Sequence, residues 1–505
     1  MNVRTMVLAT PAHKKAGGRL LRAGAATLVC VAAGAVIAFG TTLVVSNNLG
    51  EAGAGVFFQL MAYFSIATAL ATFGADTGLV RSVSAAEALG RQRIVARLLL
   101  TACIPVAAAS LLVGGLLWAA VDLDLLPGGA DGWVAEAVRL AVPFLPASAL
   151  LTAIFGALRG FHAVVTFAVL QNLVLPILRL AGILLVLALG AGLTQLVTAW
   201  SVPVLAAAFL AVLALRRAMR RSLTGQPRGG LDPSGMETAR GFWSFSAARG
   251  ASSMLEVLLE WVDVIAVFIL LGPVAGGVYG AINRCVRVGV MLDHSARMVT
   301  GPVISSALAV GDLVRARQVF SGATRLLILG AWPFYLILIL FGPAIMSIFG
   351  AGFAAGAPAL LIIGPAMLLS VSAGGVQSIL LMGGHSRWQL LNKTSALAVA
   401  LLLNFTLIPV WGIAGAATAW AAAVLVDCGL ATYQVATIMK IVAPLRVLCV
   451  PMALAFTVFG LGGFVAALLW GQSLAALLLT VAGGGFVYAA GLVLLYRRGL
   501  ITLKL

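Results

Sequence analysis

The chain alternates long apolar runs with short polar breaks from one end to the other. A helix needs roughly 20 apolar residues to cross about 30 Å of hydrocarbon. About fourteen runs reach that length, near 23–47, 55–80, 96–121, 136–158, 163–189, 194–215, 242–271, 278–306, 322–346, 355–382, 388–410, 413–438, 446–470 and 473–495. One longer break, at 216–241, is basic and carries Gly225, Pro227, Gly229, Gly230 and Pro233, the composition of a linker. The pattern therefore predicts an all-α polytopic membrane protein with four parts. These are an N-terminal lobe (1–215, helices 1–6), a cytoplasmic basic linker (216–241), a C-terminal lobe (242–440, helices 7–12) and a terminal helix pair with its tail (441–505). Proline recurs inside the runs, at Pro143, Pro146, Pro176, Pro203, Pro302, Pro333, Pro365 and Pro451. Each removes a backbone donor and predicts a kink.

The two lobes echo one another. Leu49-Gly50 is followed by Gly55-Val56-Phe57, and Leu271-Gly272 by Gly277-Val278-Tyr279, 222 residues further on. Thr198-Ala199-Trp200 recurs as Thr418-Ala419-Trp420 at an offset of 220, which Gly192 and Gly412 share. Repeated halves around a central site are a common plan for secondary transporters. With six spans per half, both halves start on the same side of the membrane, so the repeat is expected to be parallel, about an axis along the membrane normal.

Composition sharpens this picture. Hydrophobic residues make up 62% of the chain and charged residues 9%, against about 25% charged in soluble domains. The formal charge of +17 would suggest nucleic acid were it not for its placement. Lys and Arg fall in alternate loops and at both ends, for instance Arg91, Arg93 and Arg97, Arg216 to Arg221, Arg315 and Arg317, and Arg497 and Arg498. The intervening loops lack Lys and Arg and hold Glu51, Asp122, Asp124 and Asp131. This alternation follows the positive-inside rule and places both termini in the cytoplasm. The basic loops then face anionic lipid headgroups, with no nucleic-acid partner. The first apolar run is too long for a signal sequence and reads as a retained helix.

Chemistry-bearing motifs are sparse. Cys30, Cys103, Cys285, Cys428 and Cys449 lie inside apolar runs with no metal-ligand spacing, so small buried hydrophobes are expected, with no disulfide, zinc or other cofactor. Asp122-Leu-Asp124 spells a DxD, but on a short loop, where acids of an outer face are the simpler reading. No Gly-rich phosphate loop is present, so ATP is not the direct energy source. Short external loops also argue against a membrane glycosyltransferase or polymerase.

Three stretches carry a family resemblance: Asn48-Leu-Gly-Glu-Ala-Gly-Ala-Gly55-Val-Phe57, Phe73-Gly-Ala-Asp-Thr-Gly-Leu-Val-Arg81, and Asn404-Phe-Thr-Leu-Ile-Pro409-Val-Trp-Gly412-Ile-Ala-Gly415-Ala-Ala417. With them the chain resembles the polysaccharide-exporter (O-antigen flippase) branch of the multidrug/oligosaccharidyl-lipid/polysaccharide flippase superfamily. The resemblance implies fourteen helices in two pseudo-symmetric six-helix lobes plus a terminal pair, in a bacterial inner or plasma membrane. It implies a non-enzymatic flippase that moves a polyprenyl-pyrophosphate-linked oligosaccharide to the outer leaflet, with membrane lipids and polysaccharide-assembly proteins as partners. The arginine- and aspartate-rich opening of the peptidoglycan-precursor branch is absent. A drug/cation antiporter of the same superfamily is the alternative.

Ionisable groups inside spans cost about 2.5–3.5 kcal/mol on insertion scales and mark cavities or partners. The seventh span carries Arg249, Glu256, Glu260 and Asp263, within roughly 60° of one helix face. The eighth carries Arg284, Arg287 and His294 on one side. Folding the pair about 272–276 sets Asp263 level with Arg284, Glu260 with Arg287, and Glu256 near His294. That is either a structural ion-pair ladder or the lining of a central cavity whose arginines share a substrate phosphate. Arg179, deep in the fifth span after Pro176, is expected to make a phosphate contact in the same cavity. Asp76 and Arg81 near the cytoplasmic end of the second span form a gate or a local cap. Asp427 reads as a lone carboxylate, either a proton or cation site or a satisfied buried group. His13, His162 and His385 are expected to be solvated.

Overall fold

The computed structural model describes residues 11–91, 94–126, 132–190, 192–223 and 239–498, and every regular element among them is helical. Most of the basic linker lies outside the described residues. Helix α1 (Pro11–Thr72) is 62 residues long, roughly 93 Å at 1.5 Å per residue. Three bilayer thicknesses would not fit one straight span. The helix is kinked at Gly50, whose φ of 66° and ψ of −171° suit a residue without Cβ. The expected loop at 48–54 is thus a kink between two arms.

The N-terminal half continues with α2 (Ala75–Ala88), α3 (Val95–Asp122), α4 (Trp133–Ala141), α5 (Leu145–Gly160), α6 (Val164–Val169), α7 (Leu175–Ala188), α8 (Leu193–Ser201) and α9 (Pro203–Leu223). A π-helical turn, Leu170–Val174, joins α6 to α7. It lies just before Pro176, which has no N–H for the preceding turn, and a widened turn absorbs the break. The C-terminal half holds α10 (Ala239–Leu271), α11 (Pro273–Ala309), α12 (Leu313–Leu340), α13 (Gly342–Ser347), α14 (Ala357–Ala373), α15 (Val376–Met382), α16 (Ser386–Trp411) and α17 (Ile413–Thr437). The terminal pair is α18 (Leu445–Ala455) leading into α19 (Gly462–Trp470), then α20 (Leu474–Arg497).

Eleven helices among the described residues are long and apolar enough to cross a membrane, α1 being one of them. Helices α10 and α11 are 33 and 37 residues long, but their polar residues break up the apolar stretch, so neither is among the eleven. Large side chains point outward along the helices: Leu185, Phe209, Leu402, Trp411, Leu468 and Phe486 are all exposed. A surface of that kind is solvated by lipid tails.

Two expected spans are broken where the sequence showed only apolar continuity. The second (55–80) is broken at Phe73 and Gly74, with φ of 38° and 77°. The tenth (355–382) breaks between α14 and α15 at Gly374, φ 71°. A Cβ on Gly74 would collide with the Ser246 carbonyl, and one on Gly156 with the Asp76 main chain. Helix α2 is therefore gripped between α10 and α5.

The sequence echo has a spatial meaning. A Cβ on Gly55 would collide with the Pro273 carbonyl, and one on Gly277 with the Glu51 carbonyl. Glu51 and Pro273 stand 222 residues apart, as do Gly55 and Gly277. The contact is reciprocal, as at a two-fold axis, and backbones can approach this closely only through glycine. One apolar core runs through both halves, from Val45 on α1 to Leu448 on α18. A second fills the N-terminal half between α2, α3, α5 and α9. The terminal pair docks on α12, where the buried Tyr488 hydroxyl donates to the Leu329 carbonyl at 2.9 Å.

Candidate functional site

A cavity of about 650 Å³ opens within the C-terminal half, walled by α10, α11, α14, α15, α16 and α17. Arg249, Glu256 and Glu260 reach it from α10, and Asn283, Arg287 and Asp293 from α11. Gln377 follows the Gly374 break, Gln389 and Lys393 come from α16, and Trp420 and Asp427 from α17. The seventh-span stripe thus faces a cavity along most of its length.

Two ion pairs cross this space. Arg287 pairs with the Glu260 carboxylate, donates to Asn283 Oδ1 at 2.6 Å and donates to the Glu260 carbonyl at 3.1 Å. Lys393 Nζ lies 2.8 Å from Asp427 Oδ2, and Gln377 Nε2 donates to Asp427 Oδ1 at 2.8 Å. Asp427 is therefore not a lone carboxylate. Lys393 is its cation. Two turns of α16 precede Lys393, and that carries it off the surface and into the cavity wall.

The ladder between α10 and α11 is only partly formed. Asp263 does not meet Arg284. It is fully buried, accepting from Asn404 Nδ2 at 2.9 Å and from the Tyr279 hydroxyl at 3.5 Å. Asn404 opens the third resemblance stretch, and its role is to satisfy this carboxylate across α10 and α16. Arg284, expected in the cavity, is not part of its lining and turns instead towards the N-terminal half. Its guanidinium stacks 4.9 Å from the Trp261 ring centroid and reaches Met61 Sδ of α1 at 3.6 Å. Glu256 is exposed at the cavity rim. His294 lies in α11, with its side chain outside the described residues.

Arg179 is not in the cavity lining. It lies 4.1 Å over the Trp200 ring and donates Nε–H to the Trp200 carbonyl at 3.0 Å. Phe57 and Phe64 of α1 pack edge-on against the same ring. Asp76 and Arg81 have separate partners. Asp76 pairs with Arg159 at 2.8 Å, joining α2 to α5, and Arg81 sits 4.3 Å over Phe245 of α10. His162 pairs with Glu87 at 3.1 Å while remaining largely exposed. In the DxD, Asp122 pairs with Arg139 at 2.6 Å. Sequence reasoning also missed Gln377 and the two tryptophans. Trp200 was legible only as part of the Thr-Ala-Trp echo, and Trp261 by no signal beyond its place one residue after Glu260.

A lipid-facing helical shell around a charged cavity in the C-terminal half describes a multi-pass membrane protein. A family model described as polysaccharide biosynthesis protein matches residues 20–308, and the chain belongs to that family. Among solved structures, the chain is similar to the lipid II flippase MurJ in an inward closed conformation, with TM-score 0.70 and 10% identity over 94% of this chain and 99% of that one. It is similar to an inward-facing multidrug resistance MATE family transporter of the MOP superfamily, with TM-score 0.63 and 14% identity over 81% of this chain and 96% of that one. It is also similar to a MOP superfamily transporter from Pyrococcus furiosus, with TM-score 0.53 and 14% identity over 87% and 95%. The fold is that of the flippase superfamily the sequence resembles. No curated protein matches the chain by sequence.

Proposed function

We propose that this protein is a non-enzymatic, alternating-access flippase. It carries a polyprenyl-pyrophosphate-linked oligosaccharide from the cytoplasmic to the outer leaflet during cell-surface polysaccharide synthesis. Family membership supports a role in polysaccharide synthesis. The observation that carries the substrate class is Arg284. It is a guanidinium at the seam of the two halves, held over Trp261 and against Met61, with no ion-pair carboxylate among the described residues. The nearby Glu260 carboxylate is paired with Arg287, so Arg284 suits a ligand that brings an anion of its own, and Arg matches phosphate oxygens in pairs. Arg179, likewise stacked on tryptophan, would serve the N-terminal half, with Arg249 and Arg287 at the cavity.

In this reading α1 supplies two spans, and α10 and α11 two more. That gives fourteen spans with both termini in the cytoplasm of a bacterial cell, and the halves divide at 1–215 and 242–440, with the linker at 216–241 and the terminal pair at 441–505. Asp76, Arg81, Glu256, Glu260, Asp263, His294 and Asp427 are then coupling or ion-pair residues. Arg284→Ala, Arg179→Ala and Arg287→Ala are each expected to abolish glycan export while the protein still inserts in the membrane. Full export by all three single variants would sink the proposal.

One observation favours a second reading. The described cavity lining carries four carboxylates (Glu256, Glu260, Asp293, Asp427) against three cations (Arg249, Arg287, Lys393). That balance suits a cationic cargo. Extrusion of ethidium by vesicles holding the purified protein, with export unaffected by the three arginine variants, would replace the flippase by a drug/cation antiporter.

A further inference from the structure

We infer that Asp427 is a tethered counter-ion, the internal stand-in for substrate phosphate at Lys393, and that Lys393 is a further substrate-binding residue of the cavity. The inference rests on the flippase reading. Lys393 and Asp427 line the same cavity, 2.8 Å apart, with side chains only 19% and 16% exposed. An ammonium in that setting cannot stand alone, because burying a charge without a partner is strongly unfavourable. In the empty protein Asp427 meets that need.

The carboxylate is itself held from the other side. Gln377 Nε2 donates to Asp427 Oδ1 at 2.8 Å and to its carbonyl at 3.3 Å. Gln377 stands just past the break at Gly374, where the chain leaves α14 for α15. Asp427 therefore has a hydrogen-bond partner that remains if Lys393 swings away. Lys393 has no such anchor: Asp427 is its one ion-pair partner among the described residues. The ammonium, a point charge on a flexible stem, is the movable member of the pair.

A diphosphate entering the cavity competes with Asp427 for this ammonium. The Arg287–Glu260 pair is less open to exchange, since Arg287 also donates to Asn283 and to the Glu260 carbonyl. Exchange of one anion for another at Lys393 leaves the ammonium partnered in both states. The loaded and the empty protein can then both pass through closed conformations. This assigns Asp427 the task of weakening substrate binding, so that substrate can be released, and of sparing the empty protein a naked cation.

The test measures binding of farnesyl diphosphate, a short prenyl diphosphate without sugar, to the purified full-length protein in lipid nanodiscs by calorimetry. Lys393→Ala is expected to weaken binding about tenfold, the value of one charge-assisted hydrogen bond. Asp427→Asn, which frees the ammonium, is expected to tighten it several-fold. The double variant should match Lys393→Ala, because the aspartate acts through the lysine. Unchanged or weaker binding by Asp427→Asn overturns the counter-ion role. Should that variant fail to fold, Asp427→Ser serves in its place, and unchanged binding by a folded Lys393→Ala overturns the inference by itself. Wild-type protein that binds no farnesyl diphosphate, together with export indifferent to Arg284→Ala, would instead remove the flippase reading. Binding that depends on Arg284 but not on Lys393 or Asp427 removes only the present inference.

Discussion

At the scale of residues, the membrane interior of this protein sorts its charges into three kinds of partnership. Glu260 and Arg287 neutralise each other at the cavity. Asp263 is satisfied by neutral donors, Asn404 and Tyr279. Arg179 and Arg284 are held by aromatic faces. The first kind predicts strong coupling. Removing one member of a fully buried pair costs about 3–5 kcal/mol because the other charge is left uncompensated. Here the side chains are 29% and 34% exposed, so water and lipid headgroups will recover part of that. Glu260→Ala is still expected to lower the yield of folded protein more than Glu260→Ala combined with Arg287→Ala. A double-mutant cycle on detergent-solubilised yield that showed additive losses would refute the coupling. Spacing on two adjacent helices placed Glu260 opposite Arg287, because a hairpin with a tight turn fixes depth. It misplaced Asp263, because the competing donor, Asn404, comes from 141 residues away and leaves no trace in the local pattern.

At the scale of elements, glycine decides where helices may touch. Apolar length made the runs legible, since every residue of a span faces either lipid or another helix. It could not show the breaks at Phe73 and Gly74 and at Gly374, because an apolar run stays apolar through a backbone turn. The sequence echo was more informative than its few matching residues suggested. Its glycines, Gly55 and Gly277, are the two positions where α1 and α11 meet backbone to backbone. Any Cβ there must push the helices apart, and overpacking of this sort costs about 1–3 kcal/mol or more. Gly55→Ala and Gly277→Ala are each expected to lower the thermal unfolding midpoint in detergent by several degrees. Gly485 on α20 provides the contrast, because nothing lies within 4 Å of where its Cβ would be. Gly485→Ala should be neutral or stabilising by about 0.5–1 kcal/mol, the gain from a less flexible unfolded chain. Equal midpoints for all three variants would show that the reciprocal glycine contact does not hold the two halves together.

At the scale of the whole molecule, the charge that moves is set by what the protein keeps. The carboxylates and cations of the cavity belong to the helices, so a bound diphosphate of about two negative charges is the mobile charge unless a counter-ion travels with it. Outward movement of one negative charge is favoured by roughly 2.3 kcal/mol per 100 mV when the cell interior is negative. The exchange proposed at Lys393 leaves Asp427 on the protein with its Gln377 hydrogen bond, so it does not of itself cancel the charge of the cargo. The membrane potential should therefore drive export without a nucleotide. The measurement is flipping of a fluorescent lipid-linked sugar in vesicles whose potential is set with potassium and valinomycin at constant pH. The outward rate is expected to rise as the interior is made negative. If instead the rate is the same at zero and at inside-negative potential, cations that balance both negative charges must cross with each substrate. The Asp427–Lys393 pair would then be the first place to look for one of them, because the carboxylate and the ammonium already face the cavity together.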